Sequence, residues 1–304
     1  MHHNNPHANG YDMQALAQVL PELAGYLQLS KHNRQTIDFS NPDAVKLLNK
    51  ALLMHHYGLE YWDIPDGYLC PPIPGRVDYL CHLDEYLKQN HYFQQDLDSS
   101  KGISALDIGT GANLIYPILA NQLLNWKMLA SDIDDGALNS AQTIINNNKH
   151  IRLDIQLRKQ TASNKIFSGI IQPDDYFHVS MCNPPFHESQ EAAMSGSVRK
   201  NKNLNRNKNK RHSNINAIAT NKQLNFAGQS NELWCKGGEK QFIKNMIFES
   251  QDYANQVGCF TCLVSKKETL SSLKQSLKKV SAEFDVVEMA QGNKISRFIA
   301  WRFK

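Results

Sequence analysis

Long apolar runs are missing from this sequence. No stretch approaches the roughly 20 uninterrupted apolar residues that a transmembrane helix requires, and the first residues, MHHNNPH, lack the apolar segment of a secretory signal. We therefore expect a cytoplasmic protein that makes no contact with a membrane. Apolar residues make up 41% of the 304 residues and charged residues 20%, which is the balance of a folded globular protein and excludes wholesale disorder.

A disulfide framework is also missing. The six cysteines are scattered through a chain that is long enough to bury a sizeable core, so reduced thiols are the expectation. Cys259 and Cys262 have the C-x-x-C spacing of some metal and redox sites, but they lie in a strand-like run, where positions three apart point to opposite faces. The spacing therefore predicts a core strand, and we expect no metal.

A strong charge imbalance is the third absence. The chain has 33 lysine and arginine residues against 29 aspartate and glutamate residues, and a formal net charge of +4 identifies no partner by itself. The distribution is more informative, because residues 199–211 (RKNKNLNRNKNKR) carry seven positive charges and no negative one. This composition predicts disorder in isolation. The run could contact several phosphates of a nucleic acid or form an ordinary solvated loop, and the sequence leaves both possibilities open.

The first third of the chain has a helical pattern. Asn41 stands where a helix N-cap is expected, Pro42 occupies the first helical position, and apolar residues then recur every three or four positions. Four prolines and two glycines in residues 62–76 predict an irregular loop of defined shape. A further helix is predicted from Val77 to about Leu87.

The pattern changes near residue 101. Strand-like segments near residues 104, 126, 155, 177, 260 and 286 alternate with helix-like ones, and a final strand-like run covers residues 296–303. Strands that alternate with helices predict an α/β fold with a parallel sheet. We therefore predict a mainly helical domain over residues 1–98, followed by an α/β domain over residues 99–304 with a basic insertion near residues 197–222.

A glycine-rich turn follows the first strand of the α/β part. Asp107 lies next to the end of that strand, and Gly109 and Gly111 allow a sharp turn and a close approach of a ligand to the backbone. The third glycine of the dinucleotide fingerprint is missing, and the preceding carboxylate would repel a pyrophosphate. It suits a cofactor that carries an ammonium and a sulfonium group, such as S-adenosylmethionine. The alternative is a tight strand-to-helix connection without a ligand.

A second acidic residue, Asp132, ends the next strand. A carboxylate at this place can accept hydrogen bonds from both hydroxyls of a ribose. Taken alone, Asp132 would more often be a helix cap. The residue therefore supports a cofactor site only together with the glycine-rich turn.

Residues 182–187 read CNPPFH and follow the strand-like run YFHVSM. Neither proline can donate to a sheet ladder, and each constrains the residue before it, so the strand stops in a rigid turn. Taken alone, this turn could simply end the strand and bury Phe186 in the core.

The glycine-rich turn, Asp132 and the Asn-Pro-Pro turn follow one another in this order along the chain. With these three features the sequence resembles the class I S-adenosylmethionine-dependent methyltransferases that modify a planar amino or amide nitrogen. The resemblance implies a Rossmann-like sheet that is mostly parallel with an antiparallel final strand, and S-adenosylmethionine as the cofactor. The cofactor-binding residues that it implies are Asp107, Gly109, Gly111, Asp132 and Asn183.

The same resemblance implies the catalytic residues. The Asn183 side chain and the Pro184 carbonyl accept hydrogen bonds from the target amino group, Pro184 and Pro185 make the turn stiff, and Phe186 stacks on the target ring. An exocyclic adenine nitrogen is a poor nucleophile because its lone pair is delocalised, so positioning would supply much of the catalysis. The base would be flipped out or already single-stranded. His187 stays unassigned.

Longer strings narrow the resemblance. WDIPDGYLCPPIPGRVDY (62–79), LNFAGQ (224–229), ELWCKGGE (232–239) and MAQGNKISRFIAW (289–301) resemble the bacterial 23S ribosomal RNA adenine-N6 methyltransferases of the RlmF type, relatives of the eukaryotic methyltransferase-like 16 enzymes. The likeness extends over about residues 9–303. It implies methyl transfer to N6 of one adenine in large-subunit ribosomal RNA. We expect 23S ribosomal RNA or a large-subunit assembly intermediate as the partner, and a monomeric protein.

This family resemblance also implies two further cofactor contacts. Arg76 would bind the carboxylate of the cofactor, with a loop salt bridge as the alternative, and Thr161 would contact the adenosine. Gly237-Gly-Glu239 would lie near the substrate pocket or cap the helix that follows, and the sequence does not separate these two roles.

Two other functions stay open. Protein glutamine methylation can use the same Asn-Pro-Pro turn, although those enzymes more often carry tyrosine where this chain has Phe186, and the basic run favours RNA. A cofactor-free RNA-binding or ribosome-assembly factor could retain a methyltransferase-like shell. Such a protein would be expected to have lost some of the motif residues, and this chain keeps them.

Overall fold

The structure is a computed structural model that describes residues 1–90, 102–185, 235–291 and 294–304. The α-helices are α1 (Met13–Val19), α2 (Pro42–Tyr57), α3 (Ile73–Gln89), α4 (Ile115–Leu124), α5 (Asp135–Asn146), α6 (Gly238–Glu249) and α7 (Leu270–Lys279). The strands are β1 (Leu27–Leu29), β2 (Gln35–Ile37), β3 (Ser104–Ile108), β4 (Lys127–Asp132), β5 (Ile155–Lys159), β6 (Phe177–Cys182), β7 (Val257–Leu263), β8 (Glu283–Gln291) and β9 (Lys294–Arg302). Within these ranges, no helix has the length and apolar character needed to cross a bilayer.

Seven strands form one sheet in the order β5-β4-β3-β6-β7-β9-β8, while β1 and β2 pair separately. The first five of these strands are parallel to one another, whereas β9 is antiparallel to both β7 and β8. The predicted α/β class, with a mostly parallel sheet and an antiparallel final strand, is confirmed. Because β4, β3 and β6 are parallel neighbours, their carboxyl ends meet at one edge of the sheet, where α/β folds form their ligand crevice.

Helix α2 begins as its sequence predicts. The Asn41 side chain accepts hydrogen bonds from the backbone N–H groups of Asp43 (3.0 Å) and Ala44 (3.3 Å), and Pro42 occupies the first turn. Gly58 ends the helix in the left-handed conformation, with φ of +66°.

Helix α3 begins at Ile73, four residues before the predicted start at Val77. Pro74, Gly75 and Arg76 therefore belong to its first turn rather than to the preceding loop. Proline is tolerated there because the first N–H groups of a helix have no intrahelical partner. The earlier start places Arg76 on a helix.

The N-terminal helices share a hydrophobic core with one face of the sheet. A single cluster of buried residues includes Leu16, Leu52 and Leu80 from these helices together with Ala105 and Met128 from the sheet. The other face is covered by α6 and α7 around a second cluster. The predicted domain boundary at residues 98 and 99 lies outside the described residues and stays a prediction.

Strand β7 places the C-x-x-C pair in the core. Cys259 belongs to the cluster on one face of the sheet and Cys262 to the cluster on the other face, and both side chains are buried. All six cysteines are free thiols. The prediction of a core strand is confirmed.

Candidate active site

A cavity of about 500 Å³ opens at the carboxyl edge of β3, β4 and β6. Its volume suits a small organic cofactor. Six of the residues that the sequence nominated line it: Arg76, Gly109, Gly111, Asp132, Asn183 and Pro185. These residues come from four separate parts of the chain, and the fold brings them to one crevice.

The glycine turn between β3 and α4 forms the floor of the cavity. Gly109 and Gly111 have φ angles of +75° and +66°, which side chains other than glycine adopt rarely. The backbone N–H groups of Gly109 and Thr110 both donate to the Ser131 carbonyl at 2.9 Å, which ties the turn to β4. A Cβ atom built on Gly109 meets no atom of the described residues within 4 Å, so among these residues this side of the turn is open to a ligand.

Asp107 precedes the turn, is fully buried and is not among the residues that line the cavity. Neither carboxylate oxygen has a hydrogen-bond partner among the described residues. Burial raises the pKa of Asp107 to about 7 and the Asp132 carboxylate adds to the rise, while the nearby Thr110 hydroxyl and the Arg76 guanidinium oppose it. A buried carboxyl group without partners is costly unless a ligand compensates it.

Asp132 ends β4 and lines the cavity. One carboxylate oxygen accepts a hydrogen bond from the Gly111 N–H (2.8 Å) and the other from the Asp134 N–H (3.0 Å), while burial raises the pKa of the group. The side chain that caps α5 is Asp134, which accepts from the Ala137 N–H at 3.0 Å. The helix-cap interpretation of Asp132 is therefore wrong for this structure.

Arg76 reaches the cavity from the first turn of α3. Its Nη1 donates to the Tyr116 hydroxyl at 2.8 Å, and its guanidinium carbon lies 5.3 Å from the centroid of that ring. In the part of the chain that the structure describes, Arg76 forms no salt bridge and its buried Nε has no partner. The guanidinium is held by the ring and keeps a free donor.

The Asn-Pro-Pro turn begins directly after β6. The Oδ1 of Asn183 is buried and has no hydrogen-bond partner among the described residues, and the following Pro184 is also buried. Pro185 lines the cavity. Phe186, nominated as the stacking residue, lies outside the described residues, as do His187 and the basic run at 199–211.

Thr161 is exposed and is not among the residues that line the cavity. Its neighbours Gln160 and Ser163 line the wall instead. The Gln160 side chain accepts a hydrogen bond from the Ala162 N–H (2.9 Å) and donates to the Ser168 carbonyl (3.0 Å), which shapes this loop. The role of Thr161 in cofactor binding stays a prediction.

The Gly-Gly-Glu segment precedes and opens α6. Gly237 and Gly238 have φ angles of +82° and +63°, and Glu239 is buried. The Glu239 carboxylate accepts hydrogen bonds from the Ser265 N–H and from the Ser265 hydroxyl (2.7 Å). Glu239 therefore ties α6 to the segment after β7, while the preceding Cys235 and Lys236 line the cavity.

Sequence reasoning missed some of the cavity wall. Leu69 and Pro71, from the proline-rich loop, and Tyr116, from α4, line the cavity beside the residues it found. The sequence predicted this loop as a segment of defined shape, but no local pattern specified which of its residues would line the cavity.

The polar atoms left without partners fit one kind of ligand. Asp107 offers two acceptor oxygens for an ammonium group, Arg76 offers a donor for a carboxylate, and Asn183 offers a further acceptor. These atoms suit a ligand with the ammonium and carboxylate groups of an amino acid, together with a second group that has N–H donors. The methionine part of S-adenosylmethionine has both the ammonium and the carboxylate.

Comparisons with known proteins agree with this chemistry. A family model described as "RNA methyltransferase" matches residues 1–304. The ribosomal RNA large subunit methyltransferase F of Pseudoalteromonas atlantica is 52% identical over 307 residues, covering 100% of this chain and 92% of the relative. The protein of the same name from Colwellia psychrerythraea is 50% identical over 305 residues, covering 100% of this chain and 99% of the relative.

Solved structures resemble the fold over its whole length. The N-terminal domain of human METTL16 in complex with SAH has a TM-score of 0.73 and 25% identity, with 100% of this chain and 99% of that chain covered. The hMettl16 catalytic domain in complex with a MAT2A 3'UTR hairpin has a TM-score of 0.75 and 26% identity, with 100% and 97% covered. The resemblance inferred from the sequence is confirmed, and the chain belongs to this family of RNA methyltransferases.

Proposed function

We propose that this enzyme transfers the methyl group of S-adenosylmethionine to the exocyclic N6 of one adenine in large-subunit ribosomal RNA. The observation that carries the proposal is that Arg76 and the unpartnered Asn183 Oδ1 line one cavity, whose glycine turn begins two residues after the unpartnered Asp107 carboxylate. The names of the two bacterial relatives, which are identical to this chain at half of their positions, support ribosomal RNA as the substrate.

The cofactor would be held by its polar ends. The Arg76 guanidinium, fixed against Tyr116, would bind the carboxylate, and Asp107 would bind the ammonium group. The Asp132 oxygens already accept two backbone hydrogen bonds, and their remaining lone pairs would accept from the ribose hydroxyls. When bound, S-adenosylmethionine supplies an electrophilic methyl group on its sulfonium.

The Asn-Pro-Pro turn would hold the nucleophile. The Asn183 Oδ1 and the Pro184 carbonyl would accept the two N–H groups of the adenine amino group, which fixes the direction of its lone pair. The prolines restrict the backbone, so little conformational freedom is lost when the base binds. Positioning of this kind lowers the barrier without a strong base. Phe186 would stack on the adenine ring.

RNA would be recognised by surfaces outside the cavity. The seven positive charges of residues 199–211 suit contacts with the phosphate backbone, which give affinity without sequence information. Residues 1–98 would shape the path of the RNA, and the target base would be extruded from it. One chain supplies the whole described cavity, so we propose a monomer that acts in the cytoplasm on 23S ribosomal RNA or on an assembly intermediate.

The test is a methyl-transfer assay with labelled S-adenosylmethionine and large-subunit RNA from a strain that lacks the enzyme. The wild-type protein is expected to place the label in N6-methyladenosine. Asn183→Ala is expected to lower kcat about 100-fold or more while the variant still binds S-adenosylhomocysteine. Binding of this product by calorimetry is the control for a folded cofactor site.

Other outcomes have distinct meanings. Label in a precursor particle but not in naked RNA would keep the chemistry and make the particle the substrate. Label in protein would favour glutamine methylation. No transfer and no cofactor binding would leave an RNA-binding protein with a methyltransferase-like shell, and the proposal would be wrong.

A further inference from the structure

The loop between α2 and α3, residues 58–72, forms one wall of the cavity through Leu69 and Pro71. It has no regular secondary structure, so its backbone polar groups need partners from elsewhere. Its prolines restrict its shape, but they do not determine where it lies against the cavity.

Buried asparagine side chains supply these partners at both ends of the loop. Asn148, after α5, accepts from the N–H groups of Glu60 (2.7 Å) and Tyr61 (3.1 Å) and donates to the Tyr61 carbonyl (2.7 Å). Asn113 donates to the Leu69 carbonyl at 3.2 Å. Both asparagines are more than nine-tenths buried.

Asn49 is the third of these residues and holds the last part of the loop. It lies in the middle of α2 and is only 4% exposed. Its Nδ2 donates to the Pro71 carbonyl at 2.8 Å and lies 3.0 Å from the Cys70 Sγ. Asparagine is unfavourable in a helix interior, and burying its amide is costly without hydrogen bonds. The hydrogen bond to the Pro71 carbonyl explains why an asparagine occupies this buried position in the helix.

The segment that Asn49 holds leads directly into the cofactor site. Pro72 follows Pro71, and its carbonyl accepts hydrogen bonds from the N–H groups of Gly75 (3.1 Å) and Arg76 (3.3 Å) in the first turn of α3. A shift of Pro71 would therefore move both the cavity wall and the base of the Arg76 side chain.

We infer that Asn49 is a positioning residue for the methyl donor, acting through Pro71 on the cavity wall and on Arg76. The inference rests on the proposed function, because it takes this cavity as the S-adenosylmethionine site. Asn49 does not line the cavity and would not touch the cofactor. Its loss should weaken cofactor binding and leave the chemical step intact once the cofactor is bound.

The test compares Asn49→Ala with Asn121→Ala. Asn121 is a matched control because it is also a buried helix asparagine that donates to a backbone carbonyl, that of Trp126 at 3.0 Å. Trp126 immediately precedes β4, at the edge of the sheet opposite the cavity. Both variants are expected to lower the melting temperature.

Only Asn49→Ala is expected to raise the Kd for S-adenosylhomocysteine, by about tenfold, and the KM for S-adenosylmethionine, with kcat near the wild-type value. Asn49→Gln, which keeps an amide donor, should recover part of the affinity. If Asn49→Ala does not fold, Asn49→Ser is compared with the same control.

An unchanged Kd in the Asn49 variants, or an equal rise in Asn121→Ala, would overturn the inference. A fall in kcat at saturating cofactor would also overturn it. Failure of the wild-type protein to bind S-adenosylhomocysteine would instead contradict the proposed function, so the two failures are distinguishable.

Discussion

Asp107 and Asp132 lie on neighbouring parallel strands, and the Asp132 carboxylate adds to the effect of burial in raising the pKa of Asp107 to about 7. The Thr110 hydroxyl and the Arg76 guanidinium oppose this rise without cancelling it. In the free protein, Asp107 is therefore partly protonated near neutral pH. A cationic ligand favours the ionised form, so ligand binding and proton release are linked at this site.

Cofactor affinity should consequently depend on pH. Between about pH 5.5 and 8, the Kd of the wild-type protein for S-adenosylhomocysteine is expected to fall as Asp107 ionises. Asp107→Asn should bind weakly and lose most of this pH dependence, because an amide cannot ionise. Calorimetric titrations at several pH values measure both effects. A wild-type Kd that does not change over this range would argue against Asp107 as the partner of the ammonium group.

The same shift affects the stability of the free protein. The pKa of Asp107 is higher in the folded protein than its ordinary value of 3.8, so stability is lost progressively as the pH rises from about 4 to about 7 and does not fall further above that. Asp107→Asn should therefore be more stable than wild type at pH 8, by at most about 4 kcal/mol, with a smaller difference at pH 5. Denaturant unfolding at the two pH values tests this. Equal stability of the two proteins at pH 8 would contradict it.

Arg76 gives a prediction that separates charge from geometry. Arg76→Ala should weaken cofactor binding about 10- to 100-fold, since it removes charge-assisted hydrogen bonds to a carboxylate. Arg76→Lys keeps the charge but not the planar fork, and should recover only part of the affinity. Tyr116→Phe, which removes the hydroxyl that accepts from Arg76, is expected to have a smaller effect. Full affinity in Arg76→Lys would show that charge alone suffices.

The sequence predicted the local features well because they depend on neighbouring residues. Asn41 and Pro42 specify the start of α2, and the strand-turn-helix around Asp107 follows from its own residues. The start of α3 was wrong by four residues, because proline is compatible with both a loop and a first helical turn. The insertion of β9 between β7 and β8 depends on packing that no local pattern records.

Some residues of the candidate site could likewise be predicted from local sequence, and others could not. Gly109, Gly111, Asp132 and Asn183 could be nominated because each stands at the end of a recognisable strand. Leu69 and Pro71 could not be, because buried amides such as that of Asn148, 88 positions after Glu60, determine the path of their loop. Near Thr161, one position separates an exposed side chain from the cavity wall at Gln160, and no local pattern distinguishes the two.

Gly136 should not tolerate alanine. Alanine in place of glycine usually stabilises a helix by about 1 kcal/mol, but a Cβ at Gly136 would overlap the Tyr68 hydroxyl. That hydroxyl donates to Asp134 at 3.2 Å and docks the proline-rich loop on α5. Gly136→Ala is therefore expected to lower the melting temperature and to weaken cofactor binding through the displaced loop.

Gly25→Ala is the matched control for this variant. Gly25 lies in the short 3₁₀ helix Pro21–Tyr26, and a Cβ there meets no atom within 4 Å in the part of the chain that the structure describes. Its substitution should leave stability unchanged or slightly increased. Thermal unfolding and calorimetry on both variants give the comparison, and a Gly136→Ala protein as stable as Gly25→Ala would show that Tyr68 adjusts without loss.

Glu239 anchors the start of α6, directly after the cavity-lining residues Cys235 and Lys236. Its buried carboxylate accepts hydrogen bonds from both the N–H and the hydroxyl of Ser265, so Glu239→Ala removes two hydrogen bonds to a carboxylate. Because Ser265 is exposed and water can replace the lost acceptor, the cost should be about 1–2 kcal/mol of stability. Glu239→Gln retains one acceptor oxygen, and because the Ser265 hydroxyl can also accept a hydrogen bond, it should cost less. The free energy of unfolding in denaturant measures both.

The exposed Glu268, which follows in the same segment as Ser265, gives a control with the same change of residue. Glu268→Ala is expected to change stability by less than about 0.5 kcal/mol. Since Cys235 and Lys236 precede the helix that Glu239 anchors, Glu239→Ala should also weaken substrate or cofactor binding more than Glu268→Ala does. If Glu239→Ala loses stability but keeps both affinities, the glutamate holds the helix in place without shaping the cavity wall.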